Sequence, residues 1–270
     1  MDKVEQLQAE IERGVAELVE GEDWRRWLEV AARFPRYSFR NTLLIRIQRP
    51  EASAVMGYRA WQALGRQVRA GERGIRILAP CVYKRTDEEG DEHRVLRGFK
   101  VTRVFDISQT DGEPLGKPVT LLDGDAPAGL WETLATQEVR EGFTLERAEL
   151  EGTANGCTDF TTRTVTIRGS LSPAQAAKTL AHELAHVLLH SGTEYATGCR
   201  GRAEVEAESV AYVVCQAAGL VTSGYSFGYV AHWSGGEPTV IHETADRVVT
   251  CARSVLDHAG LLEDVARTAA

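Results

Sequence analysis

No Cys-x-x-Cys pair occurs in this chain, and its five cysteines, Cys81, Cys157, Cys199, Cys215 and Cys251, are odd in number and widely spaced. That pattern excludes a disulfide framework and a Cys-type zinc knuckle, and it fits reduced thiols in the cytoplasm, the expected location. Missing too is any run of about 18 uncharged apolar residues, the length a membrane-spanning helix needs. The opening segment, MDKVEQLQAEIERGVAELVE, is a charged helical pattern without the apolar core of a targeting segment. No membrane association is therefore expected. Internal repeats and low-complexity tracts are absent, as are the recognition-helix and zinc-finger patterns of duplex readers. What is present is an ordinary globular composition, 43% hydrophobic and 26% charged over 270 residues, enough for two medium domains.

Charge is spread unevenly. Residues 1–120 hold 21 Lys and Arg against 19 Asp and Glu, whereas residues 121–270 hold 10 against 20. From Trp24 to Arg85 there are 14 basic residues and only Glu29, Glu51 and Glu72 as acids, a local +11 in a chain of net −8. This is the footprint of an anion-binding surface; a solvated Arg-rich face, or one docked on the acidic C-terminal half, fits the same count. Within it, RFPRYSFRNTLLIRIQR (residues 33–49) interleaves arginines with Phe34, Tyr37 and Phe39. Cations that follow phosphates and rings that stack on bases together hold single-stranded nucleic acid with little sequence preference. Phe34, Phe39, Trp24, Trp27 and Trp61 read mostly as core residues, which leaves Tyr37 with Arg36 and Arg40 as the expected surface group. Arg46, Arg69 and Arg73 complete the candidate DNA-binding set.

The periodicities predict an α+β protein of two domains, residues 1–125 and 126–270. In the first, apolar residues Val4, Leu7, Ile11, Val15 and Leu18 mark an amphipathic helix. Helices near Trp24 to Ala32, after Ser38 and at Tyr58 follow, and then two strands from Ile75 to Lys84 and Val95 to Phe105 pair across the turn DEEGDE. Residues 106–128, with three prolines and five acids, read as the connection. In the second, a helix from Leu130 to Arg140 precedes strands from Phe143 to Leu150 and Phe160 to Ile167, joined by a Gly-containing turn. Helices follow over about 173–190, 202–218 and 239–258.

The chemical signal is His182-Glu183-Leu184-Ala185-His186. Ser172 suits an N-cap, Pro173 the first helical position and Gly192 the C-terminal cap, so the motif lies inside a helix. Histidines four apart on one face reach one ion, and Glu183 stands where it acts on the attacking water as general base. On the next helix, EVEAE places Glu204 and Glu208 on the stripe of Ala211 and Cys215. Carboxylates buried there need a compensating partner. Glu204 is the expected third zinc ligand and Glu208 the carboxylate that orients a ligating histidine. Three protein ligands plus water is the layout of a hydrolytic zinc site, here for peptide bonds. The competing reading makes His182 and His186 core histidines bonded to carboxylates. His190 reads as a helix-end residue favoured by the dipole, while Glu194, Asp159, Glu206 and Cys199 are weaker ligand candidates, and Tyr229 and His232 are candidate oxyanion stabilisers.

RFPRYSFRNTLLIRIQRP, GYRAWQALGRQVRAGERGIRILAP and VFDISQTDGEPL resemble, in that order, the N-terminal single-strand-binding domain of ArdC-type antirestriction proteins of plasmids and phages. HELAH with EVEAE, and the segment from Tyr229 to Trp233, resembles the zincin-like metallopeptidase domain joined to it, which is related to ImmA/IrrE-type proteases. The resemblance implies protection of incoming DNA, with single-stranded DNA as partner, Zn2+ as cofactor and a DNA-associated protein as candidate substrate. Two alternatives share these motifs: a DNA-coating protein with a structural or vestigial zinc site, and a protease that cuts a repressor or DNA-bound protein. The chain departs from the family pattern at Ala70, where a lysine often precedes Gly-Glu; one expected phosphate contact is weakened.

Overall fold

The computed structural model describes residues 2–19, 21–86, 92–113, 126, 129–190, 200–220, 234 and 237–262. They pack into two compact units: one takes the chain as far as Gly14 and again from Arg40 to residue 113, the other takes Val15–Phe39 and everything described from residue 126 on. The packing thus differs from a single boundary at residue 125, because residues 15–39 belong with the second unit. Tryptophan chemistry explains the transfer. Helix α2 (Gly21–Arg33) buries Trp24, Trp27 and Leu28, and the Trp24 indole donates to Ser209 Oγ of the second unit at 2.9 Å.

In the first unit, Asp2 Oδ1 accepts from the amides of Val4 and Glu5 and starts α1 (Lys3–Glu17). Leu7 and Ile11 of its apolar stripe are buried. A Cβ on Gly14 would lie 2.7 Å from Ile47 Cδ1, so glycine is what allows α3 (Phe39–Gln48) to approach. Asn41 of α3 bonds both the amide and the carbonyl of Leu78, each at 2.9 Å, and thereby fixes α3 on the sheet. The sheet has the order β1-β4-β3, all antiparallel: β1 is Val55–Gly57, β3 Ile75–Thr86 and β4 Glu92–Asp106. The ribbon of β3 and β4 slips register between Pro80 and Val82, close to Gly98 at φ +131°. α4 (Tyr58–Ala63) and the short pair β2 (Gln67–Val68) and β5 (Thr110–Asp111) complete this unit.

The second unit begins with α5 (Leu130–Arg140) and a three-stranded sheet of order β6-β8-β7. β6 (Thr144–Ala148) runs parallel to β8 (Thr164–Arg168), and β7 (Gly156–Asp159) antiparallel. β8 turns Val165 and Ile167 fully inward, the alternation a half-buried strand requires. β7 lies in the stretch read from sequence as a turn, while residues 160–163, read as the start of a strand, form the turn instead. Asp159 Oδ1 accepts from the amides of Thr161 and Thr162, and Arg163 adopts φ +53°. Three helices cover the site: α6 (Pro173–Leu189), α7 (Arg200–Ala217) and α8 (Pro238–His258). Ser172 caps α6, accepting from Gln175 N, with Pro173 in its first turn as expected. The C-cap is His190 rather than Gly192, which falls outside the described residues.

Candidate functional site

α6 projects His182 and His186 from one face, a turn apart. α7 packs against α6 with Ala207, Ala211 and Cys215 fully buried, small residues that allow close approach. Glu204 enters from α7. The two imidazoles and the carboxylate form a triangle of groups: His182 Nε2 lies 3.1 Å from His186 Nε2, and the Glu204 carboxylate presents Oε2 to His182 Nε2 at 3.4 Å and Oε1 to His186 Nε2 at 3.7 Å. Ligands about 2.0–2.1 Å from a tetrahedral ion lie about 3.3–3.4 Å apart, so the triangle has about the size of one face of a zinc tetrahedron.

Proton placement makes the fit more specific. His182 Nδ1 meets Glu208 Oε2 at 3.1 Å, and Glu208 is held by Lys178 Nζ at 3.1 Å. An ionised carboxylate only accepts, so His182 carries its proton on Nδ1 and offers a lone pair at Nε2. His186 Nδ1 lies 3.0 Å from His190 Nδ1, and His190 Nε2 lies 2.9 Å from Glu206 Oε2. The same logic gives His190 a proton on Nε2 and His186 a proton on Nδ1, which leaves the His186 lone pair on Nε2, the atom facing His182 Nε2. Two ring nitrogens and a carboxylate therefore face one point, an arrangement that could hold a cation. Without an ion, one proton settles between the rings. Burial lowers His182, but its bonds to Glu204 and Glu208 outweigh burial and hold it up to about 9; burial, then the positive His182, pushes His186 down to about 3.

Glu183, one residue along, points to the opposite neighbour, β7. Its Oε2 accepts from Thr158 Oγ1 at 2.7 Å, and burial raises its proton affinity, which His182 and Thr158 only partly offset. A Cβ on Gly156 would sit 2.5 Å from Glu183 Oε1 and 2.7 Å from Thr179 Cγ2. Glycine is thus required where the β7 backbone passes the carboxylate. Behind it on α5 lies Glu138, fully buried, both oxygens without a hydrogen-bond partner among the described residues. Burial, then the charges of Glu183 and Glu141, push its carboxyl up to about 8, so it stays neutral at pH 7.

The other candidates divide. Glu206 is 1% exposed and engaged by His190, Arg202 and Arg247, apart from the triangle. Asp159 caps its turn. Glu194, Cys199, Tyr229 and His232 lie outside the described residues. The roles of His190 and Glu206 escape sequence reasoning because an i, i+8 imidazole is signalled only by the alternate carboxylates of EVEAE.

The DNA-binding candidates do not gather in one unit. Arg36 and Tyr37 fall in the second, Arg40, Arg46, Arg69 and Arg73 in the first. Tyr37 is half-buried, edge-on to Phe34, and burial raises its phenol to about 12; it is not the surface ring the sequence led us to expect. Arg36 donates to Leu262 O at 2.7 Å. Arg69 pairs with Glu72 at 2.6 Å beside an open groove lined by Tyr58, Val68 and Phe105, while Arg73 is exposed. Phe34, Phe39, Trp24, Trp27 and Trp61 are core residues. Among the described residues the exposed Phe and Tyr rings are Tyr58, Tyr83 and Phe99, with the Arg97 guanidinium 5.6 Å above the Tyr83 ring. Sequence reasoning missed these because Tyr83 and Phe99 stand on strands and Tyr58 at the start of α4, outside residues 33–49. Among the described residues no helix is long and apolar enough to cross a membrane.

Comparison with known proteins bears on both units. Residues 3–105 match the family described as the N-terminal domain of anti-restriction factor ArdC, and residues 140–217 match the IrrE N-terminal-like domain, a peptidase family of type M78. Two crystal structures of antirestriction protein ArdC from the R388 plasmid share the fold. The metal-free form has TM-score 0.54 and 21% identity, covering 83% of this chain and 85% of that one. The Mn(II)-bound form has TM-score 0.50 and 19% identity, covering 88% and 99%. An uncharacterized Bacillus anthracis protein, pXO2-81, is 24% identical over 278 residues; the match takes in 84% of this chain but 47% of that protein, so the chain spans about half the length of this curated relative.

Proposed function

The chain is of the ArdC type, with an ArdC N-terminal domain ahead of an IrrE-like domain, and from this we propose that it binds single-stranded DNA through the first and hydrolyses peptide bonds at a zinc centre in the second. The observation that carries the hydrolytic reading is the convergence of two imidazole lone pairs and Glu204 within 4.8 Å of one another, with Glu183 alongside. His182, His186 and Glu204 would hold the ion, which supplies a lowered water pKa and a polarised substrate carbonyl. Glu183 takes the proton of the attacking water and returns it to the leaving amine; its raised proton affinity suits both halves of that task. Thr158 keeps the carboxylate oriented through its hydroxyl. Glu208 and Lys178 keep the His182 ring turned so that Nε2 faces inward.

For DNA, the first unit offers Arg40, Arg46, Arg69 and Arg73 as phosphate partners and Tyr58, Tyr83 and Phe99 as stacking rings. An acidic second half repels DNA, so strands lie on the first unit and raise the local concentration of DNA-associated proteins near the hydrolytic site. Binding of this kind protects incoming DNA, the antirestriction role.

The test is metal analysis joined to a proteolysis assay with and without single-stranded DNA. About one zinc per chain, with hydrolysis of a DNA-bound protein accelerated by DNA more than that of a free peptide, is the expected result. Full metal retention in a His182→Ala, His186→Ala double variant overturns the ligand assignment.

A further inference from the structure

We infer that His190 and Glu206 are positioning residues for the metal centre, forming a second proton-fixing chain that runs from His186 to Arg202 and Arg247. The inference rests on the reading that His182, His186 and Glu204 hold the ion. Each ligating imidazole then has its own support. For His182 it is short: Nδ1 to Glu208, Glu208 to Lys178. For His186 it is one residue longer. Positions 204 and 206 differ by about 200° around α7, so a carboxylate at 206 leaves the helix on the side away from the ligand at 204. His190, one turn beyond His186, bridges the gap. Its side chain is 6% exposed, with Nδ1 3.0 Å from His186 Nδ1 and Nε2 2.9 Å from Glu206 Oε2.

The far end of the chain determines the near end. Glu206 Oε1 accepts from Arg202 Nε and Arg247 Nε, each at 3.0 Å, and Oε2 accepts from Arg247 Nη2 at 3.2 Å. A carboxylate this buried is stable only when so paired, and so paired it stays an acceptor. It takes the His190 proton at Nε2, His190 Nδ1 takes the His186 proton, and His186 Nε2 is left as a lone pair directed at the centre. Arg247 also donates Nη2 to Leu189 O at 2.7 Å, binding the end of α6 to α8. One face of Arg247 borders an open groove of about 730 Å³ shared with Arg202, Glu243 and Asp246. The affinity of the centre therefore depends on a residue of α8 that belongs to neither the HExxH helix nor the glutamate helix.

The experiment measures zinc affinity of the full chain by chelator competition, the absorption bands of the Co(II)-loaded protein, and thermal unfolding of the metal-free protein. His190→Leu is expected to weaken zinc binding about 10–100-fold and to shift the Co(II) bands. His190→Gln, whose amide can accept from one neighbour and donate to the other, should restore most of both. Arg247→Met, at the partly exposed end, should weaken zinc several-fold and also lower the unfolding temperature of the metal-free protein, because Glu206 then keeps only Arg202 and His190; measured at a temperature where that variant is folded, it decides the question if His190→Leu does not fold. Wild-type affinity and spectrum in His190→Leu, or in Arg247→Met when that variant alone is folded, overturn the inference while leaving the ligand set intact. A wild-type chain that holds no zinc overturns the ligand reading itself, and the inference with it.

Discussion

In the second unit, three glutamates at alternate positions of one helix have three separate tasks. Glu204 faces the ligand triangle, Glu208 holds His182, and Glu206 holds His190 between two arginines. In the first unit, positive charge is more abundant and less specific, and part of it is committed to structure. Arg66 is buried on Thr110 and the carbonyl of Gly112, and Arg76 pairs with Glu10 at 2.6 Å. A net charge of +11 over Trp24 to Arg85 therefore overstates what is presented to a polyanion. The difference is physical. A metal site is built from few groups at fixed short distances, whereas a strand-binding surface is built from many weak contacts whose value depends on exposure.

The sharpest way to break that contrast is to remove one group from each region. Glu183→Gln should keep its zinc, because Glu183 is not a ligand, and lose about 10²–10⁴-fold in peptide hydrolysis, with DNA binding unchanged. A transformation assay shows which unit carries protection: loss of protection in Glu183→Gln ties antirestriction to hydrolysis, and full protection assigns it to DNA binding alone. Gly156→Ala comes next. Its new methyl displaces Glu183 Oε1 without removing the carboxylate, and kcat should fall about 10²-fold while zinc content stays constant.

Glu138 provides a pH test confined to the second unit. Its carboxyl titrates at about 8 when folded against 4.5 as the ordinary value. The folded chain thus keeps a proton that the unfolded chain releases as pH rises from 4.5 to 8, and stability falls across that window. Glu138→Gln should raise stability at pH 7 by ~3 kcal/mol and flatten the decline, measured by denaturant unfolding at several pH values. In the first unit, Tyr83→Ala should cost about 1–3 kcal/mol of single-strand affinity with the salt dependence unchanged. Smallest of all, replacing Arg73 should flatten the slope of log affinity against log salt by about 1, equally for all sequences.

The same contrast accounts for what could be read in advance. His182, Glu183 and His186 were legible because helical spacing alone puts them on adjacent faces, and Ser172 and Pro173 fix where that helix begins. Glu204 and Glu208 were legible from their shared stripe, but the burial expected of them was not correct for Glu204, which is half exposed; the buried glutamate of EVEAE is Glu206. β7 was not: Gly156-Cys157-Thr158-Asp159 has weak strand propensity, and pairing with β8 is what makes it a strand. Nor was the displacement of residues 15–39 to the second unit, since Trp24 meets Ser209 across 185 positions of sequence. Alternation of arginine with aromatic residues around Tyr37 misled for a related reason, because residues 34–38 form the turn between α2 and α3, and Phe34 and Phe39 go inward while Tyr37 packs edge-on against Phe34.

The central claim, that a hydrolytic zinc centre stands on His182, His186 and Glu204 with Glu183 as base, is tested most directly by measuring bound zinc and peptide hydrolysis side by side in wild type, Glu183→Gln and His186→Ala. About one zinc per chain in the first two, loss in the third, and hydrolysis in wild type alone is the predicted result. Zinc at wild-type level in His186→Ala, or undiminished hydrolysis in Glu183→Gln, would contradict it.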